Sequence, residues 1–394
     1  MPYFEILKKD EVSKARNGII HTAHGDIHTP AFLPIGTKGA VKTVTAEELK
    51  FWGAEIVLAN TYHLWQRPGD ALIYKAGGLH KFMNWKGPIF TDSGGFQVFS
   101  LAKMRKVMEA GVLFQFDLDG RQEILSPEKS VQIQANLGSD IALIFDDFPG
   151  FPFEYERSKQ SIELTKRWAE RAMREHLHIM TDGDPINSGQ KLWGIVQGAS
   201  FEDLRKQSAQ DMANFGFEGF AIGGVAVGEP HAEMMRAIEY AIPYLPEAAP
   251  KHLLGVGTPF DIVQGASRGC DTFDCVIPTR EARHGRLYIS NKQSVESGKQ
   301  VEGYATIDIR LEQYKEDFTP VDNTCDCYLC LNHTKAYLRH LFATGEPLAT
   351  RLATIHNLKF YLNLMQNIRK AIEYEYFDEM VKNYKDYTDQ LVAK

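Results

Sequence analysis

The chain has 394 residues, 44% of them hydrophobic and 24% charged, and carries a formal net charge of −7. This is ordinary globular composition, with enough sequence for one large domain plus an appendage, and the acid excess leaves nucleic-acid binding to a local basic patch. Five cysteines, at Cys270, Cys275, Cys325, Cys327 and Cys330, exclude a secreted disulfide framework.

The first residues, MPYFEILKKDEVSKARNG, contain neither a signal-peptide core nor a cleavage site, and no apolar run is long enough to span a bilayer. A soluble, cytoplasmic protein without membrane contact is expected. In chain order, eight apolar runs of strand length follow: AFLPI, AEIVLAN, GPIFTD, DIALIFDD, KLWGIVQG, GFAIGG, HLLGVG and TFDCVI. They are continuously apolar rather than alternating, as strands buried on both faces are. Amphipathic helical stretches lie between most of them, among them SPEKSVQIQANLG, YERSKQSIELTKRWAERAMREH, FEDLRKQSAQDMANFG and HAEMMRAIEYAI. The alternation predicts a parallel α/β sheet, closed as a (β/α)8 TIM barrel or open and doubly wound; eight strands over this length favour the barrel.

Asn60, Asp92, Asp146 with Asp147, Gln197, Gly223, Gly224, Gly255 and Gly257 fall at or near the C-terminal ends of these runs, and Asp274 falls inside the last. In a parallel barrel those ends converge on one face, so one pocket would gather the polar chemistry. Asp92, followed by Ser93 and two glycines, lets backbone approach a ligand, with Phe96 as a stacking platform; an N-cap or turn role is the plainer alternative. Asp274 is costly to ionise in an apolar strand, which marks it either as a nucleophile or as a buried carboxylate satisfied by backbone donors or by Arg280. Asp146 and Gln197 suit the donor and acceptor pattern of a purine, and Gly223 and Gly224 would offer backbone donors. Arg280, Arg283, Arg286 and Lys292 against the single acid Glu281 form the local basic patch, readable as an RNA contact or as a solvated loop.

Past about residue 290 come polar turns, a cysteine knuckle and helices, ending in the polar stretch DEMVKNYKDYTDQLVAK, which suggests one more amphipathic helix. Cys325, Cys327 and Cys330 form C-x-C-x-x-C; with a histidine they would fill a closed, structural zinc site. His333, His340 and His356 are all candidates for the fourth ligand, and the spacing does not choose among them. The expected organisation is a catalytic barrel over residues 1–290, a zinc-binding subdomain over 291–360, and C-terminal helices over 361–394 that pack on the barrel.

Together TDSGGFQVFS, WGIVQG, FAIGGVAVGE, FDCVIPTR and CDCYLC with a later HNL resemble the queuine/archaeosine tRNA-ribosyltransferase family, bacterial type, through most of the chain and in family order. The resemblance implies a tRNA-guanine transglycosylase that replaces the wobble guanine of tRNAs with GUN anticodons (Asp, Asn, His and Tyr acceptors) by a 7-deazaguanine base. It implies Asp274 as nucleophile and Asp92 as general acid/base. It further implies a base site of Ser93, Phe96, Asp146, Gln197, Gly223, Gly224, Val225, Ala226, Glu229 and Leu254, and tRNA contacts at Arg280, Arg283 and Arg286. His356 of HNL is the implied fourth ligand of one structural Zn2+ per subunit, no metal or organic cofactor enters the chemistry, and a homodimer is implied, with Tyr337 and His340 as interface candidates. GGVAVGE, with Val227, points to prequeuosine-1 base as the inserted base. One departure bears on this: the bacterial family reads Glu-Cys after the aspartate, where this chain has Asp147 and Phe148, so queuine is the alternative. Rival readings are a non-catalytic tRNA-binding partner subunit, which the presence of both aspartates disfavours, and a zinc hydrolase, which would need an open metal site.

Overall fold

The structure, a computed structural model, describes residues 2–101, 105–116, 120–294 and 300–384, with backbone alone at positions 98, 99, 101, 292–294 and 300–302. Its centre is one parallel sheet in which every neighbouring pair of strands follows the order of the eight apolar runs. The strands are Ala31–Leu33 continued by Ile35–Gly36, then Val57–Ala59, Ile89–Thr91, Ile141–Leu143, Lys191–Val196, Phe220–Ile222, Lys251–Leu253 and Thr272–Asp274. The first segment counts as two strands because Pro34, lacking an N–H, interrupts the ladder. Its front half pairs with the last strand, Asp274 beside Leu33, and its back half with the second, Ile35 beside Leu58. The sheet therefore closes into the expected (β/α)8 barrel, and the barrel strands are buried almost throughout.

The helices stand where periodicity put them, at Pro127–Leu137, Tyr155–Asp182, Glu202–Phe215 and His231–Ala241. Their starts are locally encoded in places: the Ser126 hydroxyl accepts from Lys129 N–H, and Thr258 does the same for the helix Pro259–Ser267. Phe145, just past the fourth strand, stacks on Trp168 of the helix Tyr155–Asp182 with ring centroids 5.0 Å apart.

Three features were not read from the sequence. An antiparallel sheet, Phe4–Lys9, Arg16–Thr22 and Gly25–Thr29, sits against the N-terminal ends of the strands, where buried Arg16 pairs with Asp271 at 2.8 Å. A second small sheet, Arg105–Met108, Gly111–Gln115 and Gln122–Leu125, follows the third barrel strand. The stretch read as polar turns is a hairpin, Arg286–Ser294 with Gln300–Asp308. Leu287, Ile289 and Ile307 pack on one of its faces and Tyr288 and Tyr304 on the other.

The helix Pro347–Glu373 joins the two ends of the molecule, running unbroken through residue 360 and burying sixteen side chains. From it Asn357 donates to the carbonyls of Pro278 and Arg286 at 3.0 Å and accepts from Tyr288 N–H, while the Tyr361 hydroxyl donates to Gly257 O at 2.6 Å. These bonds brace the loops after the seventh and eighth strands, the two that flank Asp274. A last helix, Phe377–Asn383, follows; the remainder of the expected terminal helix lies outside the described residues. No helix among the described residues is long and apolar enough to cross a membrane.

Candidate active site and metal centre

Residues from all eight barrel strands or the loops that directly follow them meet in one cavity of about 450 Å³ at the C-terminal face. Asp92, Ser93, Phe96, Asp146, Gln197, Gly223, Gly224, Val225, Ala226, Leu254, Asp274 and Arg280 all line it. Residues separated by nearly two hundred positions are thus brought together by barrel closure alone.

Asp92 ends the third strand. Its Oδ1 accepts from Thr61 N–H at 2.9 Å, and its Oδ2 accepts from the Asn60 amide. The same Asn60 caps the following helix by accepting from His63 N–H at 2.9 Å, so its amide cannot turn away. Burial, opposed by the Thr61 hydrogen bond and reinforced by the charge of Asp274, pushes the Asp92 carboxyl up to about 7. Such a group holds and releases a proton near neutrality.

Asp274 ends the eighth strand and is buried. Its Oδ1 accepts from Gly255 N–H at 2.9 Å and lies 3.1 Å from His252 Nε2. Its partners are therefore a backbone donor and a histidine rather than Arg280. Neighbouring Cys275 is no rival nucleophile: burial pushes its thiol far up, and its sulfur already accepts from Ile277 N–H. Glycine is required nearby, because a Cβ on Gly257 would lie 2.1 Å from the Cys275 sulfur.

Opposite the two aspartates, Asp146 accepts from Gln197 Nε2 at 2.6 Å and from the Ser93 hydroxyl at 3.3 Å. Burial, opposed by the Gln197 bond and reinforced by Asp147, pushes Asp146 up to about 6. Gln197 Oε1 is buried without a partner, an acceptor held against the cavity. Gly224 sits at φ +64°, and a Cβ there would come within 2.4 Å of that oxygen. The peptide of Gly223 and Gly224 thus packs directly on the amide, which only glycine permits. Phe96, 54% exposed, stands at the mouth, its ring 6.1 Å from that of Phe148, which also lines the cavity.

Some expected residues lie outside the cavity lining. Glu229 folds back on its own loop, its carboxylate accepting from Ala226 N–H at 2.5 Å and Val227 N–H at 2.8 Å. Asp147 turns away into a bidentate pair with Arg157 at 2.6 and 2.7 Å. Arg280 and Arg283 ride the helix Ile277–Arg283 directly after Asp274, and Arg286 pairs with Glu281 at 3.2 Å as the hairpin begins. Lys292 is described by backbone alone.

Two residues with a part in the site were missed. Arg205 is fully buried and donates to the carbonyls of Val196, Ala199, Gly223 and Gly224 at 2.7–3.1 Å, tying the loops after strands five and six together. Burial pushes its guanidinium down to about 9, and among the described residues no carboxylate shares a hydrogen bond with it. Its signal was available: Arg205 shares the buried face of its helix with Ser208, Ala209 and Met212. His252 is the other; a histidine within the apolar run HLLGVG is a polar residue inside a barrel strand, as Asp274 is.

Next to Asn357 on the same long helix, His356 joins Cys325, Cys327 and Cys330, and the four place one ligand atom each within 4.8 Å of one another. His356 Nδ1 lies 3.5 Å from Cys327 Sγ and 3.3 Å from Cys330 Sγ, close to the ligand spacing of a tetrahedral ion with bonds of about 2.0–2.3 Å. The other ring nitrogen, Nε2, is 2.7 Å from Tyr288 O, which takes the N–H and leaves Nδ1 as the ligand. The cluster can hold a metal ion. His333 instead stacks on Tyr337, ring centroids 4.8 Å apart.

The family model described as queuine tRNA-ribosyltransferase matches residues 10–389. Queuine tRNA-ribosyltransferases of Streptococcus gordonii and Listeria welshimeri are each 50% identical to this chain over 369 residues, 94% of the chain and 92% of the relative. That of Psychrobacter cryohalolentis is 47% identical over 383 residues, covering 97% of the chain and 96% of the relative.

Proposed function

The chain belongs to the queuine tRNA-ribosyltransferase family and is a tRNA-guanine transglycosylase, and from that premise we propose that Asp274 and Asp92 carry out a double displacement at the wobble guanosine of GUN-anticodon tRNAs. Asp274 attacks the anomeric carbon as the glycosidic bond to guanine breaks, passing through an oxocarbenium-like transition state to a covalent aspartyl–tRNA ester. The bond's electron pair departs on guanine, which is protonated in the pocket. A 7-deazaguanine then enters the same site, loses its ring proton to Asp92, and attacks the carbon from the face guanine left. Two inversions restore the configuration.

The observation that carries this reading is the pairing of two carboxylates in one cavity with divergent environments. Asp92 is pushed up to about 7 and so exchanges a proton at neutral pH, while Asp274 is held by fixed donors. Asp146, Gln197, Gly223 and Gly224 would read the base edge, with Ser93, Val225, Ala226 and Leu254 forming walls and Phe96 stacking on its face. Glu229, holding the amides of Ala226 and Val227, would shape the loop beside the base substituent. Arg280, Arg283 and Arg286 would meet the anticodon loop. The Cys3His cluster would hold one structural Zn2+, its four protein ligands leaving no position for substrate and its helix bracing the loops beside Asp274. A cytoplasmic homodimer, with Tyr337 and His340 on the helix after the knuckle at the interface, completes the proposal.

The proposed inserted base is 7-aminomethyl-7-deazaguanine, prequeuosine-1 base. Queuine is the second reading, favoured by Phe148, which lines the cavity and alters the room around the base. Competition between the two bases for one tRNA decides between them; preference for queuine would overturn the first assignment. The exchange itself is tested with labelled guanine, which Asp274→Ala should fail to incorporate.

A further inference from the structure

We propose that His252 is the positioning residue of the nucleophile, fixing the Asp274 carboxylate so that Oδ1 is occupied and Oδ2 delivers the attack. The inference rests on the reading of Asp274 as nucleophile. His252 belongs to the seventh barrel strand, is 0% exposed, and lies next to the strand that carries Asp274. Its ring is held on three sides. Nδ1 is 2.9 Å from the Thr272 hydroxyl, Nε2 is 3.1 Å from Asp274 Oδ1, and the ring packs on Phe90 with centroids 4.7 Å apart. An ionised carboxylate only accepts, so Nε2 carries the proton and donates, and the Thr272 hydroxyl can then donate to Nδ1 of the neutral ring.

Gly255 N–H makes a second bond to the same oxygen. Oδ1 is thereby filled, whereas Oδ2 makes no hydrogen bond among the described residues, and the side chain keeps an 11% exposure towards the cavity. When Oδ2 bonds to the anomeric carbon and guanine departs with the glycosidic electron pair, Oδ1 becomes the carbonyl oxygen of the ester. When the incoming base displaces the carboxylate, the electron pair returns to it and spreads onto Oδ1. His252 and Gly255 are already aimed at the atom where that charge reappears, and both are fixed before the reaction begins. The histidine therefore favours both the orientation of the first displacement and the leaving of the carboxylate in the second.

The test uses the full chain and a GUN-anticodon tRNA. The covalent adduct is formed in a single turnover, resolved on a denaturing gel, and chased with guanine. His252→Phe keeps the aromatic packing on Phe90 but has no donor; it is expected to slow the chase roughly 10- to 100-fold, the loss of one hydrogen bond to a charged group, with the KM for guanine unchanged. His252→Gln, whose amide can reach Oδ1, is expected to recover most of that rate, a rescue that a purely structural role would not give. A chase by His252→Phe as fast as wild type, or a glutamine variant no faster than the phenylalanine variant, would overturn the proposal. Thermal melting of both variants checks that they fold. An adduct formed by Asp274→Asn would instead overturn the assignment of the nucleophile, so the two failures are told apart.

Discussion

Asp92→Asn should gain stability relative to wild type as pH rises while disabling the exchange of bases. A carboxyl raised from 3.8 to about 7 has an ionised form that the fold disfavours by about 4 kcal/mol, at 1.36 kcal/mol per unit. The sign follows from proton counting. Between these two values the unfolded chain has released its proton and the folded chain has not, so the stability this group contributes is complete below 3.8 and is lost as pH rises through about 7. About 3 kcal/mol of that loss falls between pH 5 and pH 8.5, and water in the open cavity would halve it. Asparagine carries no such loss. It does leave its amide facing the amide of Asn60, a pH-independent cost of about 1–3 kcal/mol. The melting midpoint of the variant minus that of wild type should therefore rise by roughly 2–4 °C from pH 5 to pH 8.5, using the usual unfolding entropy per residue. Comparing the two chains at each pH cancels the titration of the cysteine cluster. A difference that stays flat across this range, or falls, would refute both the raised value and the assignment of Asp92 as the proton acceptor.

Other outcomes follow from the same geometry. Wild-type incorporation of guanine should rise with pH through about 7, as Asp92 ionises, and the rising limb should be absent from the residual activity of Asp92→Asn; an identical limb in both would assign it to another group. Gly224→Ala, strained at φ +64° and pressed on the Gln197 amide, should raise the KM for guanine by at least about tenfold, measured in steady-state exchange. Gly257→Ala should destabilise by about 1–3 kcal/mol in urea unfolding, and Cys275→Ala should not restore the loss, because the Cβ of residue 275 is itself only 2.5 Å from the added carbon. One zinc per chain should be found by elemental analysis and be lost in Cys327→Ser with a lower melting midpoint; unchanged zinc content would show the ligand set to be wrong.

The barrel was legible because its strands are apolar on both faces and its helices have clear periodicity. Eight runs named eight strands, and the break at Pro34 is a consequence of one residue's chemistry. The N-terminal sheet was not legible. Its residues 4–9 alternate, FEILKK, and pair locally with residues 16–20, but what ties the sheet to the barrel is the Arg16 pair with Asp271, 255 positions away. Asp92, Asp146 and Gln197 stood out because polar residues ending apolar runs are few, and Asp274 because a carboxylate inside such a run is costly. Arg205 and His252 do not follow that pattern and were passed over, since a cation on a helix face and a histidine at a strand's middle each have common structural explanations. The choice among His333, His340 and His356 was beyond spacing, because it depends on how the helix Pro347–Glu373 lies across the knuckle. The departure at Asp147 and Phe148 divides in the structure, with the aspartate turned to Arg157 and only the phenylalanine reaching the cavity.

The central claim, exchange through an ester on Asp274, is tested most directly by mixing the protein with a GUN-anticodon tRNA, resolving the mixture under denaturing conditions, and mapping the modified peptide by mass spectrometry. The account predicts a protein–RNA adduct on Asp274 that forms without added base, is discharged by guanine, and is absent from Asp274→Asn. An adduct on another residue, or labelled guanine incorporated at the wild-type rate by Asp274→Asn, would contradict it.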